Sequence, residues 1–529
     1  MKKKWVKLAA FALVLVTALT FTMCRTGPRH VQLSFTPGVF IGVADGMFGP
    51  IKAEVVFTGT GIFNARVIEH FETLSIVSGA IERVPRQIVK YQSLAVEIVS
   101  GATLTSLAII NAVQDAVIQA GGDPAILWAN RAVTTPSTEV VNMEVEFVVV
   151  GGGGAGINAS LGAAQRNQGD VVLLERMSSV GGATLFAALT DTRPQFAAFM
   201  RTIRRDDVLP NLELKLDTRA TDLIMDGQRV VGVVAEHYSG RKYNIRAKYV
   251  ILATGSFAAN HDMLKYYGAF NKWPEFENRL LTTNPPGSMG DGVTMALQAG
   301  ARLARMDDIV VINNGDPISG ILETGVGSLS LGVNQQGNRF TDESWWTPGR
   351  PLAAERNRIS RDVFDKADGL MWVISDHTNS GLNWETGLNG FRQPIDVVLN
   401  LPGRIFIAET IEELARRIGV PPTALRNSID AWNALVDAGG VGCPFGRSPM
   451  NLRPATRIDT PPFYASARRP SIHATIGGLV RDPDTFQVIR HSDGQPIEGL
   501  YAIGELVDGF FGINPAFADG REIIGRIFP

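Results

Sequence analysis

The sequence predicts an α/β protein built around a Rossmann-like nucleotide-binding domain, with a small α+β domain ahead of it. Three observations carry that assignment. Phe147 to Val150 form an apolar, mostly β-branched run, as a strand buried on both faces requires. Gly151, Gly153 and Gly156 follow at G-x-G-x-x-G spacing, with Gly154 and Ala155 between them, and Ile157 to about Asn167 suits a helix. Val171 to Leu174 then read as a second buried strand ending in the acid Glu175. Glycine lets the strand turn tightly into the helix and lets backbone approach a pyrophosphate, while the helix N-terminus offers unpaired N–H groups and a positive dipole end. An acid after the second strand accepts the hydroxyls of an adenosine ribose. A lone glycine motif is weak evidence, but here strand, glycines, helix, strand and acid stand in order.

The 529 residues leave room for two or three domains. A formal charge of −2, with no basic stretch beyond the N-terminus, argues against a nucleic-acid partner. Cys24 and Cys443 are the two cysteines, which excludes a disulfide framework, a Cys-rich zinc site and a C-x-x-C-H haem attachment. Lys2, Lys3, Lys4 and Lys7 precede the apolar stretch Leu8 to Phe21, so residues 1–24 read as a signal peptide or membrane anchor. Cys24 opens a lipoprotein reading, against which Phe21-Thr22-Met23 departs from the usual Leu-small-small pattern. An uncleaved anchor and cleavage nearby are the alternatives. Each puts the body of the protein outside the cytoplasm.

Residues 29–122 read as the small domain: β-rich first, then helical. Asp45 to Pro50 is a turn-rich hairpin candidate and Ile51 to Phe57 alternates as a strand. In the helical piece, Leu107, Ile110, Val113 and Val117 fall on one face. Ser100, Thr103 and Thr105 precede or open that helix, and small hydroxyl residues make good N-caps. However, Ser100-Gly101-Ala102-Thr103-Leu104-Thr105-Ser106, together with "TPGVFIGVADGMFGPIKAEVVF" and "EHFET", resembles the covalent FMN domain family. The resemblance implies that a flavin transferase links FMN through its phosphate to Thr103, with Thr105 as the second choice. Glu97 stands where that family usually has Asp. Residues 123–143 read as a linker.

After Glu175, the segments "MSSVGGAT", "AKYVILATGSFAANHDML", "TTNPPGSMGDGVTMALQAGARLARMD" and "GLYAIGELVDGFFGIN" resemble the FAD-dependent fumarate reductase family, which includes urocanate reductases and ketosteroid dehydrogenases. That resemblance implies non-covalent FAD in a domain formed by 144–305 and 470–529, with an inserted α+β cap at 306–469. The implied cofactor contacts are Gly151, Gly153, Gly154, Ala155, Gly156, Glu175, Gly182, Ala183, Thr184, Gly255, Asp291 and Glu505. Ala183 replaces the family's Asn, the segment after Thr184 is shorter than usual, and a chain ending at "GRIFP" implies a brief final helix.

For catalysis the resemblance implies His473 in "SIHATIGGL", Glu323, and a proton-donating arginine near "DESWWTPGRP". Thr347 occupies the usual donor position, and Arg350, three residues on, is the candidate; a solvated surface arginine is the competing reading. Val326 and Pro515 stand where clamp arginines are expected. The expectation is an extracytoplasmic oxidoreductase that passes electrons from a membrane or periplasmic donor through FMN and FAD. Its small-molecule acceptor would be an activated C=C bond of an unsaturated carboxylate. An electron-transfer or ligand-binding flavoprotein, and a dehydrogenase running oxidatively, are the alternatives.

Overall fold

The computed structural model describes residues 33–47, 49–72, 74–99, 101–130, 136–166, 169–183, 209–322, 330–344, 351–389, 395–399, 403–446, 456–509 and 512–528. The expected signal segment, Cys24, Thr184, Glu323 and Arg350 lie outside these residues. Among the described residues, no helix is long and apolar enough to cross a membrane.

The leading domain is an antiparallel sheet of β1 (Gly38–Asp45), β2 (Pro50–Thr58) and β3 (Gly61–Glu69), covered by α1 (Leu74–Tyr91) and α2 (Thr103–Gln119). Alternation in β2 buries Ile51, Ala53, Val55 and Phe57 against the helices. Each such burial stabilises by about 1–3 kcal/mol. Gly42 lets α2 lie directly on β1, because a Cβ there would stand 1.9 Å from the Ala112 carbonyl oxygen. The inward face of α2 carries Ile110, Val113 and Val117 as expected, but Leu107 is exposed; Ile109 and Ala116 complete the face instead. The segment expected as a linker contains a further helix, α3 (Pro124–Ala129), capped by Asp123 and seated by the buried Leu127. It packs because Leu127 fills the apolar core of the leading domain.

The second domain rests on a mixed sheet. β4 (Val140–Val150) leads through the glycine turn to α4 (Gly154–Gln165), then β5 (Val171–Leu174) and β6 (Leu212–Lys215). An antiparallel pair, β7 (Thr218–Asp226) and β8 (Arg229–His237), returns to β9 (Lys242–Leu252), which pairs parallel with β4 along its length. α5 (Asp291–Gln298) follows. Far along the chain, β15 (Gln487–Ile489) and β16 (Pro496–Ala502) complete the order β15-β16-β9-β4-β5-β6. The final helix, α9 (Ile513–Ile527), is not brief: it runs 15 residues and packs on α4, where Gly520 permits approach to the Ala155 carbonyl.

Between these parts lies the inserted cap. β10 (Ile309–Gly315), β11 (Leu331–Val333), α6 (Leu352–Ala367), β12 (Met371–Ser375), β13 (Ile405–Ala408), α7 (Ile411–Ile418) and α8 (Pro422–Asp437) precede a long strand, β14 (Phe463–Thr475). All pairings in this sheet are antiparallel. The first half of β14 pairs with β12 and β13; its second half pairs with β10. One strand therefore runs unbroken across the boundary expected at residue 470.

The leading domain touches the second directly. Arg83 of α1 pairs with Asp217 at 2.8 Å and stacks over Tyr238 at 3.8 Å. Gly101 lies against Met177: a Cβ there would stand 1.9 Å from Met177 Cε, the end of that flexible side chain.

Candidate active site

The parallel strands β4, β5, β9 and β16 end on one side of the sheet, where ligands of open α/β sheets bind. The turns that follow them, at Gly151–Ala155, Glu175–Met177, Ala253–Ser256 and Ile503–Glu505, line one cleft. Gly182, Ala183, Asp291 and His473 line it as well.

The glycines divide their work. Gly151 adopts φ +108°, and a Cβ would meet the Ala253 carbonyl at 2.4 Å. Gly156 does not line the cleft; its missing side chain lets α4 sit 1.9 Å (Cβ position to oxygen) from the Gly151 carbonyl. At Gly153 a Cβ would meet nothing within 4 Å, so the backbone there is open for a ligand's close approach. Gly182, at φ +52°, brings its own turn against Gly153. Gly255, at φ +71°, likewise faces open space.

Glu175 is buried and accepts N–H bonds from Gly152 and Met177, both at 2.8 Å. Burial still outweighs those bonds and pushes its carboxyl up to about 7. Asp291, at the start of α5, is held by Arg176 and by Arg219. At the other end Glu505 is pushed up to about 8 by burial, against a Thr475 N–H and the Ser256 hydroxyl. Glu505 Oε1 is buried without a hydrogen-bond partner. A buried unmatched carboxyl oxygen in a cleft is what a ligand hydroxyl would satisfy.

His473 stands near the end of β14. Its Nδ1 shares a 2.7 Å hydrogen bond with the Thr283 hydroxyl, and its carbonyl accepts from Asn284 Nδ2 at 2.8 Å. Burial, and then the positive charge of Arg356, lower the imidazole to about 3, so it is neutral at physiological pH. Arg356, on α6, was not among the residues singled out from the sequence. It occupies the same helical stripe as the fully buried Ile359 and Val363, a place where an arginine is out of pattern.

At the leading domain, Thr103 is the exposed first residue of α2. The hydroxyl residues do not cap that helix: Ala102 is the N-cap, with no side-chain cap bond. Ser106 Oγ instead receives the Val99 N–H and donates to the Ala102 carbonyl. Thr105 is buried and its hydroxyl donates to Glu72 at 2.9 Å, which leaves Thr103 accessible and Thr105 committed.

The open Gly153 backbone, the acid Glu175 and the unmatched Glu505 oxygen at opposite ends suit an elongated dinucleotide. Fold and cleft thus define a Rossmann-type dinucleotide-binding protein with an inserted cap. The family profile of the FAD binding domain matches residues 146–190 and 188–518, and that of the FMN-binding domain matches 46–118. The chain belongs to the FAD-binding domain family and carries an FMN-binding domain at its front. It is 29% identical to the NADH:acrylate oxidoreductase of Vibrio harveyi over 92% of this chain and 60% of that protein. It is 28% identical to the urocanate reductase of Eggerthella lenta, covering 89% of this chain and 88% of that one. Among solved structures, the open conformation of a flavocytochrome c3 fumarate reductase shares the fold. The TM-score is 0.53 at 23% identity, covering 73% of this chain and 77% of that one.

Proposed function

We propose that the protein is an extracytoplasmic flavin-dependent reductase of an activated C=C bond in an unsaturated carboxylic acid. Electrons enter from a membrane or periplasmic donor, pass through FMN attached to Thr103 by a flavin transferase, and reach FAD. The observation that carries this reading is the single cleft running from the Gly153 turn to His473. The names of the two relatives, an acrylate and a urocanate reductase, support the acceptor class.

Gly151, Gly153, Gly154 and Ala155 would hold the pyrophosphate, Glu175 the adenosine ribose, and Gly182, Ala183, Gly255 and Glu505 the remainder of FAD, with Asp291 in the wall. Bound there in its reduced form, FAD would supply the hydride for a two-electron, two-proton reduction of the alkene, the second carbon being protonated from the protein. His473, neutral and fixed by Thr283, orients the acceptor by hydrogen bonding rather than by charge. Glu323 and Arg350 are retained here as proposed participants, Arg350 as proton donor.

The test is anaerobic oxidation of reduced methyl viologen by the FAD-loaded protein with acrylate, urocanate, cinnamate and fumarate in turn. Oxidation by at least one is expected, and silence with all four defeats the reading. Thr103→Val is expected to abolish in-gel flavin fluorescence after denaturation, whereas Thr105→Val retains it; the reverse pattern moves the attachment to Thr105.

A further inference from the structure

The residues that follow Glu175 leave the nucleotide end of the cleft and meet the leading domain. Met177 donates its N–H to Glu175 Oε1 at 2.8 Å, and its carbonyl accepts the Asp217 N–H at 2.9 Å. Its buried side chain lines the cleft and runs between two glycines. A Cβ at Gly287 would stand 2.9 Å from Met177 Sδ, and one at Gly101 would stand 1.9 Å from Met177 Cε. Gly287 belongs to the cleft wall, whereas Gly101 lies in the turn into α2, two residues before Thr103. Ser178 continues the contact: it is buried against α1, where a Cβ at Gly79 would stand 2.5 Å from Ser178 Cβ. About one turn along α1 from Gly79, Arg83 pairs with Asp217 at 2.8 Å. Gly79, Arg83 and Gly101 of the leading domain thus grip Met177, Ser178 and Asp217 from outside the cleft.

We propose that Met177 is a positioning residue that couples docking of the leading domain to binding of FAD, each strengthening the other. The proposal concerns the cofactor cleft and stands whichever acceptor is reduced. The turn from Glu175 to Ser178 is shared by both events. From inside the cleft, FAD fixes it at Glu175; from outside, the leading domain fixes it at Met177 and Ser178. Two events that order the same residues share the ordering cost, so the second is stronger once the first has occurred, and the factor is the same in both directions. Met177 suits the task because an unbranched thioether fills the irregular gap between Gly101 and Gly287. The contact also sets where Thr103 lies. Two peptide units separate it from Gly101, so their Cα atoms are within about 7.6 Å of each other. A group attached to Thr103 is therefore tethered beside the nucleotide end of the cleft.

The experiment measures FAD affinity of the full chain by equilibrium dialysis, and hydrogen exchange across α1 with and without FAD. In the unaltered protein FAD is expected to slow exchange of α1 amides by about tenfold, although none of that helix's described residues lines the cleft. Met177→Ala is expected to raise the FAD Kd about tenfold and to abolish that protection, whereas Met177→Leu, which keeps the bulk, stays within about threefold. Arg83→Ala touches only the outer side of the turn and should raise the Kd about fivefold. Added to Met177→Ala it should cost less than about twofold more, since both remove the same docking. Gly79→Ala separates docking from fold stability. Its methyl favours the helix but meets Ser178, so the Tm of the FAD-free protein should hold while the FAD Kd rises about fivefold. Exchange in α1 that ignores FAD overturns the proposal, as does an unchanged FAD Kd in Arg83→Ala or Gly79→Ala. Weakened FAD binding in Met177→Ala alone would mark Met177 as core packing and overturn it equally.

Discussion

At its nucleotide end the cleft is supplied by consecutive chain, Phe147 to Glu175, whose strands pair with each other and whose acid bonds back to Gly152. At its His473 end the parts come from Thr283, His473 and Glu505, and meet only because the sheets bring them together. The first end is fixed by short-range geometry, so its tolerances are backbone tolerances. The second depends on how the cap is seated, so its chemistry can change while the nucleotide site stays intact.

Substitutions can break this contrast at either end. Gly156→Ala should have the largest effect, since its methyl would meet the Gly151 carbonyl at 1.9 Å. A loss of about 3 kcal/mol or more, read from the urea midpoint, is expected, with FAD binding lost alongside. Gly153→Ala sharpens the contrast: at φ −77°, with nothing within 4 Å, it should fold normally, within about 0.5 kcal/mol. Its FAD affinity should nevertheless fall about tenfold, roughly 1.4 kcal/mol, by equilibrium dialysis. Equal FAD affinity in Gly153→Ala would mean that this glycine makes no close approach to the cofactor.

The smallest effect belongs to the far end and appears as a pH dependence. The folded-state carboxyl of Glu505 is raised to about 8 from an ordinary 4.5, so the folded protein holds its proton where the unfolded chain has lost it. That contribution to stability is complete below about pH 4.5 and is lost as pH rises through about 8. Glu505→Gln should flatten the fall in Tm of the FAD-free protein between pH 5 and pH 8. An unaltered slope would show that Glu505 is ionised in the folded state.

What could be read from the sequence follows the same division. The βαβ unit was legible because strand, glycines, helix and acid lie within one uninterrupted stretch. His473 was found through the residues around it, from Ser471 to Gly478. Arg356 was missed because, in a run of alternating charges, it looks like any solvated helix arginine. The available signal was its position three residues before Ile359 and seven before Val363, on the apolar stripe. Leu107 shows the opposite error: an apolar residue at helical spacing that nonetheless faces outward. The helix at Pro124–Ala129 was hidden by its brevity, since its reason for forming is Leu127 meeting a core built by residues far from it.

The central sheet also dictates an order of events during synthesis. β9 lies between β4 and β16, and β16 begins at Pro496, after the whole cap has been translated. The helix that covers α4 is later still, from Ile513 to Ile527. A nascent chain can therefore close the leading domain, whose contacts are local, long before the FAD cleft has all its walls. Until the helix from Ile513 to Ile527 has left the ribosome, Phe147 and Ile251 lack the apolar cover that Phe517 and Ile524 provide. Loss of the C-terminal helix should thus cost the nucleotide site first, although its glycine turn lies more than half a chain away.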